Sequence, residues 1–318
     1  MPTGNRLTRV IVIPRNGYVN RLQAWASSAI LAHDLGAELR VMWEPEAVAP
    51  ALAQDLFAPL LIRDRFVSVE TITRVVGGRH SDLPRYLTRD LDRDVVILAG
   101  HDRGEQVFMD PLLELLDGPQ CPSTLLIIAG GKFALRSTAR VRARRGEFYR
   151  DITWHSEIDT RVHRLLQNRD AYSGLHIRGT DRSRAAPTTR QVLNALRRLR
   201  DEGGSRSLFI AADTRQARQQ WSSVTQNVGF QPWTADHDVR DRRERASGLD
   251  AIVDWLLLAA SITSTYSQTS TFGEEAAVAG EYVDSAIPLR ASRGVGVVRD
   301  TRTWARALVT YPQRLLKR

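Results

Sequence analysis

An α/β fold in two halves, each a mostly parallel sheet wound by helices, is predicted by three features of the sequence. Short apolar runs alternate with stretches of helical period, and this pattern resumes after a polar segment at 167–172 without the sequence itself repeating. The 318 residues are 42% hydrophobic and 25% charged, which is enough for two domain-sized cores. The boundary is expected between 168 and 169, giving an N-terminal half of 1–168 and a C-terminal half of 169–318.

"RVIVIP" (9–14) is a β-branched run and reads as a buried strand. In the helix that follows, Leu22, Trp25, Ala26, Ala29 and Ile30 keep helical spacing, Asn20 is the expected cap and Gly36 the expected stop. "ELRVMW" (38–43) completes a βαβ unit, the building block of a parallel sheet. Further strands are expected at "FVSVE" (66–70), "DVVILAG" (94–100) and "TLLIIAG" (124–130). The second half offers strands at 172–177, 207–213 and 261–266, between amphipathic helices near 187–201, 214–222 and 247–260. A closing helix is expected from Thr301, interrupted at Pro312. Two such halves set a cleft between the carboxyl edges of two sheets, where helix N-termini and loop amides favour anions.

No apolar run is long enough to span a bilayer, and "MPTGNRLTRVIVIP" reads as a basic turn entering a strand, not as a signal peptide. A cytoplasmic location is expected. Cys121 is the only cysteine, so paired-cysteine zinc motifs are excluded and it reads as an inert thiol. A formal charge of +9 favours anionic partners. The arginine clusters at 136–145 and 240–246 lack interleaved aromatics, which speaks against nucleic-acid binding and for solvated helix faces or loops.

Three segments carry candidate chemistry. In "GLHIRGTD" (174–181), alternation puts His176 and Arg178 on one face of a strand and Leu175 and Ile177 on the other. The arginine fork suits a phosphate, and Thr180 and Asp181 are placed to cap the next segment or orient it. An internal Arg178–Asp181 ion pair beside a structural histidine fits the octapeptide equally well. In "NGYVNRLQAW", a turn containing Gly17 leads to a helix opening at Asn20 and Arg21, without the spacing of a dinucleotide fingerprint or the lysine of a P-loop. In "DAIVDWLLLAASITSTYSQTSTFGEEAA" (250–277), Asp254 lies on an otherwise apolar helix, and Ser267, Thr269, Ser270 and Thr271 gather before a helix start. Hydroxyls and amides there suit a diphosphate; a plain N-cap needs no ligand.

Taken in order, these segments together with "FIAADT" resemble the fucosyltransferase superfamily of rhizobial nodulation α1,6-fucosyltransferases, animal core α1,6-fucosyltransferases and protein O-fucosyltransferases. The His-x-Arg-x-x-Asp element is the most specific part of the resemblance. It implies a GT-B fold of two Rossmann-like domains facing a central cleft, and a GDP-sugar donor held mainly by the C-terminal domain. It also implies inversion at the anomeric carbon, no cofactor and no metal, with a glycan or small-molecule acceptor. Under it, Arg178 neutralises the leaving diphosphate and His176 lies beside the nucleotide. Asp213 is the acid of the second motif, Asp254 reads guanine, and Ser270 and Thr271 bind phosphate; Gly17, Asn20 and Arg21 contribute from the first half. Asp181 is the catalytic carboxylate of the motif.

The chain also departs from that pattern. Gly179 stands where many core α1,6-type enzymes carry a second arginine, and no carboxylate follows Asp181 in "DRSRAAPTT". The base is then Asp181 or an acid of the first half (Asp34, Glu44 or Glu46), or else a loose, ion-pair-like reaction needs little base. Three rivals remain. A manganese-dependent GT-A enzyme would use an Asp-x-Asp pair, for which "DLD" (90–92) and "DHD" (236–238) have the spacing but read as solvated loops. A non-catalytic nucleotide- or glycan-binding protein is the second, and a nucleic-acid-binding protein, which would have to be retained on DNA or RNA at physiological salt, is the third.

Overall fold

The structure, a computed structural model, describes residues 7–76, 86–90, 94–99, 116, 121–133, 139–178, 187–241, 243–268 and 270–289. The closing helix expected beyond Thr301 lies outside them. The chain divides into two compact units that part between Thr153 and Trp154, ahead of the polar stretch taken as the boundary.

In the first unit, β1 (Arg9–Pro14) leads through α1 (Tyr18–Leu35) to β2 (Glu38–Val41). The helices α2 (Ala53–Leu56), α3 (Pro59–Arg65) and α4 (Val69–Val76) precede β3 (Tyr86–Asp90), β4 (Val95–Ala99), β5 (Thr124–Ala129) and α5 (Ala139–Arg150). The sheet order is β2-β1-β5-β4-β3, parallel except for the β3–β4 pair. Ile11 and Ile13 share a core cluster with Met42, Ile72, Val95, Ile97 and Leu126, while their neighbours Val10 and Val12 are buried as well. Burial on both faces is why this strand reads as an unbroken apolar run. On α1, Trp25 meets Phe57, Phe66 and Phe148 edge-on, each at 5.3 Å.

Two expectations for this unit are corrected. "FVSVE" is not a strand: Phe66 makes one bridge to Val41, and the chain then coils into α4. The helical spacing of Ile72 and Val75, both packed on the β1 side of the core, overrides the β-branched composition. Nor does Asn20 cap α1. Asn16, at φ 69°, turns the chain so that Gly17 is the N-cap and Asn20 lies inside the first turn. The C-terminal stop is as expected, with Gly36 left-handed at φ 63° and its N–H closing on Ala32 and His33 carbonyls.

The second unit begins with α6 (Ser156–Leu166) and runs through β6 (Ser173–Ile177), α7 (Thr189–Asp201), β7 (Ser207–Ala212), α8 (Arg215–Gln226) and β8 (Gln231–Trp233). It continues with α9 (Ala246–Ala259), β9 (Thr263–Ser267), α10 (Thr271–Ala279) and β10 (Ile287–Leu289). Thr188 and Gln191 form a reciprocal capping box at the start of α7, and Thr214 caps α8 through the Ala217 N–H. All five strands are parallel, in the order β10-β9-β6-β7-β8. That is the doubly wound order, in which the chain reverses its direction of travel between β6 and β9. Leu175 and Ile177 pack with Val192, Leu196 and Leu199 of α7 and Trp221 of α8, so the intervening Gly174 and His176 face the side covered by α9 and α10.

Candidate functional site

The reversal between β6 and β9 is the place in such a sheet where ligands bind, outside the carboxyl ends of the strands. His176 pairs in register with Tyr266, and the next residues continue to the edge. There the Arg178 backbone N–H lies 3.5 Å from the Ser267 hydroxyl. On the other side β6 pairs with β7 through Ile177 and Ala212, which sets Asp213 level with Arg178 at the same edge. The imidazole of His176 is buried and stacks on Phe272 of α10 at 4.9 Å between ring centroids. Gly179, Thr180 and Asp181 lie outside the described residues, as does Thr269.

Helix α10 starts directly beyond this edge, with Ser270 as N-cap and Thr271 as its first residue. Ser270 is only 1% exposed, yet its hydroxyl neither caps the helix nor hydrogen-bonds any other described residue. A buried hydroxyl without a partner costs about 1–3 kcal/mol, so its retention at a helix N-terminus suits an anion that would accept from it. Gly273, in the first turn, lets α10 approach β9: a Cβ there would stand 2.3 Å from the Tyr266 Cβ.

Asp254 belongs to a second cluster of the same unit. One of its carboxylate oxygens, Oδ2, accepts from Arg218 Nη2 at 2.6 Å, and the other, Oδ1, lies 3.4 Å from His237 Nε2. Arg218 Nη1 also donates to the His237 carbonyl at 2.9 Å. Asp250, four residues before Asp254 on α9, accepts from Arg161 Nη2 at 2.9 Å and Arg240 Nε at 3.0 Å. Of this cluster, only Asp254 stands out in the sequence. The "DHD" loop is corrected in part: Asp236 and Asp238 are surface residues paired with Arg164 and Arg215, but the His237 side chain turns inward at 6% exposure. The acids at 236 and 238 thus face different arginines. Asp90 of "DLD" ends β3, and its other two residues lie outside the described set. Among the described residues, no group of three His, Cys, Asp or Glu side chains is placed to hold a metal ion.

The charged first-unit candidates each have a partner. Arg21 is fully buried; its guanidinium donates to the Asn16 and Glu44 carbonyls and pairs with Glu46 at 3.1 Å. Burial draws its pKa below the usual arginine value, and Glu46 opposes that. The structure therefore shows Arg21 tying the loop after β1 to the loop after β2. Gly17 faces open space. Of the alternative bases, Asp34 is bound by Arg144, which lowers its carboxyl pKa, while Glu46 pairs with Arg15 as well as Arg21. Glu44 accepts from Arg15 at 2.8 Å and keeps 29% of its side chain exposed. The basic cluster expected at 136–145 is in its described part a helix: Arg140 and Arg142 are exposed, but Arg144 holds Asp34 and Arg145 is buried.

No protein-family model and no curated protein matches the chain. Solved structures do, and they show that it shares an α/β fold with fucosyltransferases. NodZ alpha-1,6-fucosyltransferase co-crystallized with GDP superposes with a TM-score of 0.57 at 19% identity, over 85% of this chain and 92% of that one. An Arabidopsis thaliana FUT1 variant in complex with GDP reaches 0.61 at 14% identity, over 86% and 69%. POFUT1 in complex with GDP reaches 0.53 at 12%, over 91% and 98%. No helix among the described residues is long and apolar enough to cross a membrane.

Proposed function

We propose that this chain is an inverting, metal-independent glycosyltransferase of GT-B class that moves fucose, or a related sugar, from a GDP-sugar to a hydroxyl of a glycan or small-molecule acceptor. The observation that carries this reading is the convergence at the β6–β9 reversal of Arg178, the His176–Phe272 stack and the unpartnered Ser270 hydroxyl at the start of α10. The fold supports it, since NodZ has been soaked with GDP-fucose and POFUT1 solved in complex with it.

In the proposed reaction the bond between the anomeric carbon and the β-phosphate oxygen breaks, and its electron pair leaves on GDP. The acceptor oxygen attacks from the opposite face and gives its proton to a carboxylate, for which Asp181 is the motif's own group. Charge that grows on the diphosphate is met by the Arg178 guanidinium, the Ser270 hydroxyl and the α10 terminus. Thr271 adds a hydroxyl at the same terminus. His176 and Asp213 flank the nucleotide, and Asp254 accepts from the N1 and N2 donors of guanine, which adenine lacks at those positions. Gly17 and Asn20 remain proposed for the nucleotide sugar, and Arg21, held by Glu46 and by the Asn16 and Glu44 carbonyls, shapes the loop and helix start that carry them.

Calorimetric titration with GDP, ADP, UDP and CDP tests the donor, followed by release of GDP from GDP-fucose in the presence of chelator. Selective GDP binding with chelator-resistant release is expected. Equal affinity for all four nucleotides, or a strict need for manganese, would refute the reading; binding without release under any acceptor would mark a binding protein.

A further inference from the structure

The Arg218 guanidinium is clamped from three directions, by the His237 carbonyl at 2.9 Å, His237 Nε2 at 3.2 Å and Asp254 Oδ2 at 2.6 Å. His237 is itself held, because Arg161 Nη2 stands 3.0 Å from its Nδ1 and also grips Asp250. Both partners are buried, Arg218 at 9% and Asp254 at 7% exposure. With Oδ2 taken, the carboxylate of Asp254 cannot turn about its Cβ–Cγ bond without breaking a charge-assisted hydrogen bond. Its other oxygen, Oδ1, is buried and faces His237 Nε2 at 3.4 Å without accepting a hydrogen bond from any described residue, and the Nε–H of Arg218 is buried and donates to none. A donor and an acceptor therefore lie unspent on adjoining side chains, an arrangement that costs stability unless a ligand meets it.

We infer that Arg218 is a specificity-determining positioning residue: by occupying Oδ2 it presents Oδ1 of Asp254 as the acceptor that meets the donor edge of a purine. The inference rests on the guanine-nucleotide reading given above and assigns its selectivity to a residue outside every motif of the sequence. Arg218 sits in the first turn of α8, just past the carboxyl end of β7, and reaches an acid on α9. A lysine at 218 keeps the charge but cannot bridge the His237 carbonyl and Asp254 Oδ2 as a planar fork does.

The test is calorimetric titration of GDP and ADP against the full chain, Arg218→Lys, Arg218→Gln, Asp254→Asn and the corresponding double variants, with thermal unfolding of each. Two substitutions at 218 are used so that one folded variant suffices. The GDP-over-ADP preference is expected to fall about tenfold in Arg218→Lys, the worth of one charge-assisted hydrogen bond. The same substitution in the Asp254→Asn background is expected to change the preference by less than about twofold, since the group being positioned is gone. An undiminished preference in folded Arg218 variants overturns the inference alone. Equal loss in both backgrounds also overturns it, as the effect then does not run through Asp254. Wild-type protein without any preference for GDP overturns the functional reading and this inference with it.

Discussion

Ser270→Ala separates a ligand-binding hydroxyl from a helix cap by the sign of its effect on stability. A serine that caps a helix contributes about 1 kcal/mol, and its loss would lower the unfolding temperature by a few degrees. Ser270 makes no such bond, and its hydroxyl is buried with no described partner. Deleting it removes a desolvated polar group at the cost of a cavity smaller than a methyl, so unfolding should stay where it is or rise by up to about 1 kcal/mol. Affinity for GDP should move the other way. A hydroxyl donating to a charged phosphate oxygen is worth about 1.5–3 kcal/mol, which predicts a roughly 10- to 100-fold weaker dissociation constant. Thermal unfolding and calorimetry on the same preparation read both effects. A variant that is destabilised as a lost cap would be, and that binds GDP as before, would refute the placement of the diphosphate at α10.

Gly273→Ala sets a methyl 2.3 Å from the Tyr266 Cβ, so α10 must retreat by about 1 Å, with about 1–3 kcal/mol lost to overpacking and GDP binding weakened because the helix start moves with it. Native melting and native GDP affinity together would show that the close approach is not needed. Arg178→Ala should cut kcat by at least ~10²-fold while GDP binding weakens less and melting is unchanged, since the proposed role matches its charge to one that develops in the transition state; single-turnover kinetics would expose the failure of that assignment if the chemical step kept its rate. The Arg144–Asp34 pair should help the fold only where Asp34 is ionised. Because its pKa is lowered in the folded state, that help is complete above the ordinary carboxylate range and fades as pH falls through the folded value. Wild type and Asp34→Asn should therefore differ slightly in melting temperature at neutral pH and converge in acid; a gap that widened in acid would contradict the pairing.

Elements whose pattern belongs to one face were legible in the sequence. The strands β1, β5 and β7 are nearly unbroken apolar runs, as strands buried on both faces are, β6 keeps Leu175 and Ile177 on its apolar face, and α7 and α8 carry caps and stripes that declare their limits. The short strands β8 and β10 hold three residues each, too few for a period to show, and β3 exchanges its bonds with β4 alone at the sheet edge. Phe66 to Val76 differs from the expected strand because β-branched residues fit a pleated surface and also fit the apolar face of an amphipathic helix. At the candidate site, the shared edge of Arg178, His176 and Ser270 was legible because a strand exit and the following helix start fall at the same end of such a sheet. The Arg161–Asp250 and Arg218–Asp254 pairs were not, since each joins residues from distant parts of the chain. The one available signal was the four-residue interval between Asp250 and Asp254, which puts two acids on one face of an apolar helix and so calls for two cations.

Every positive charge named in the β6–β9 edge and the Asp250–Asp254 cluster is a guanidinium, and the chain as a whole has only two lysines, Lys132 and Lys317. Such a cation neither loses its proton in mildly alkaline solution nor offers a nucleophilic amine. Acylating enzymes that silence lysines elsewhere therefore have no amine to act on in this cluster.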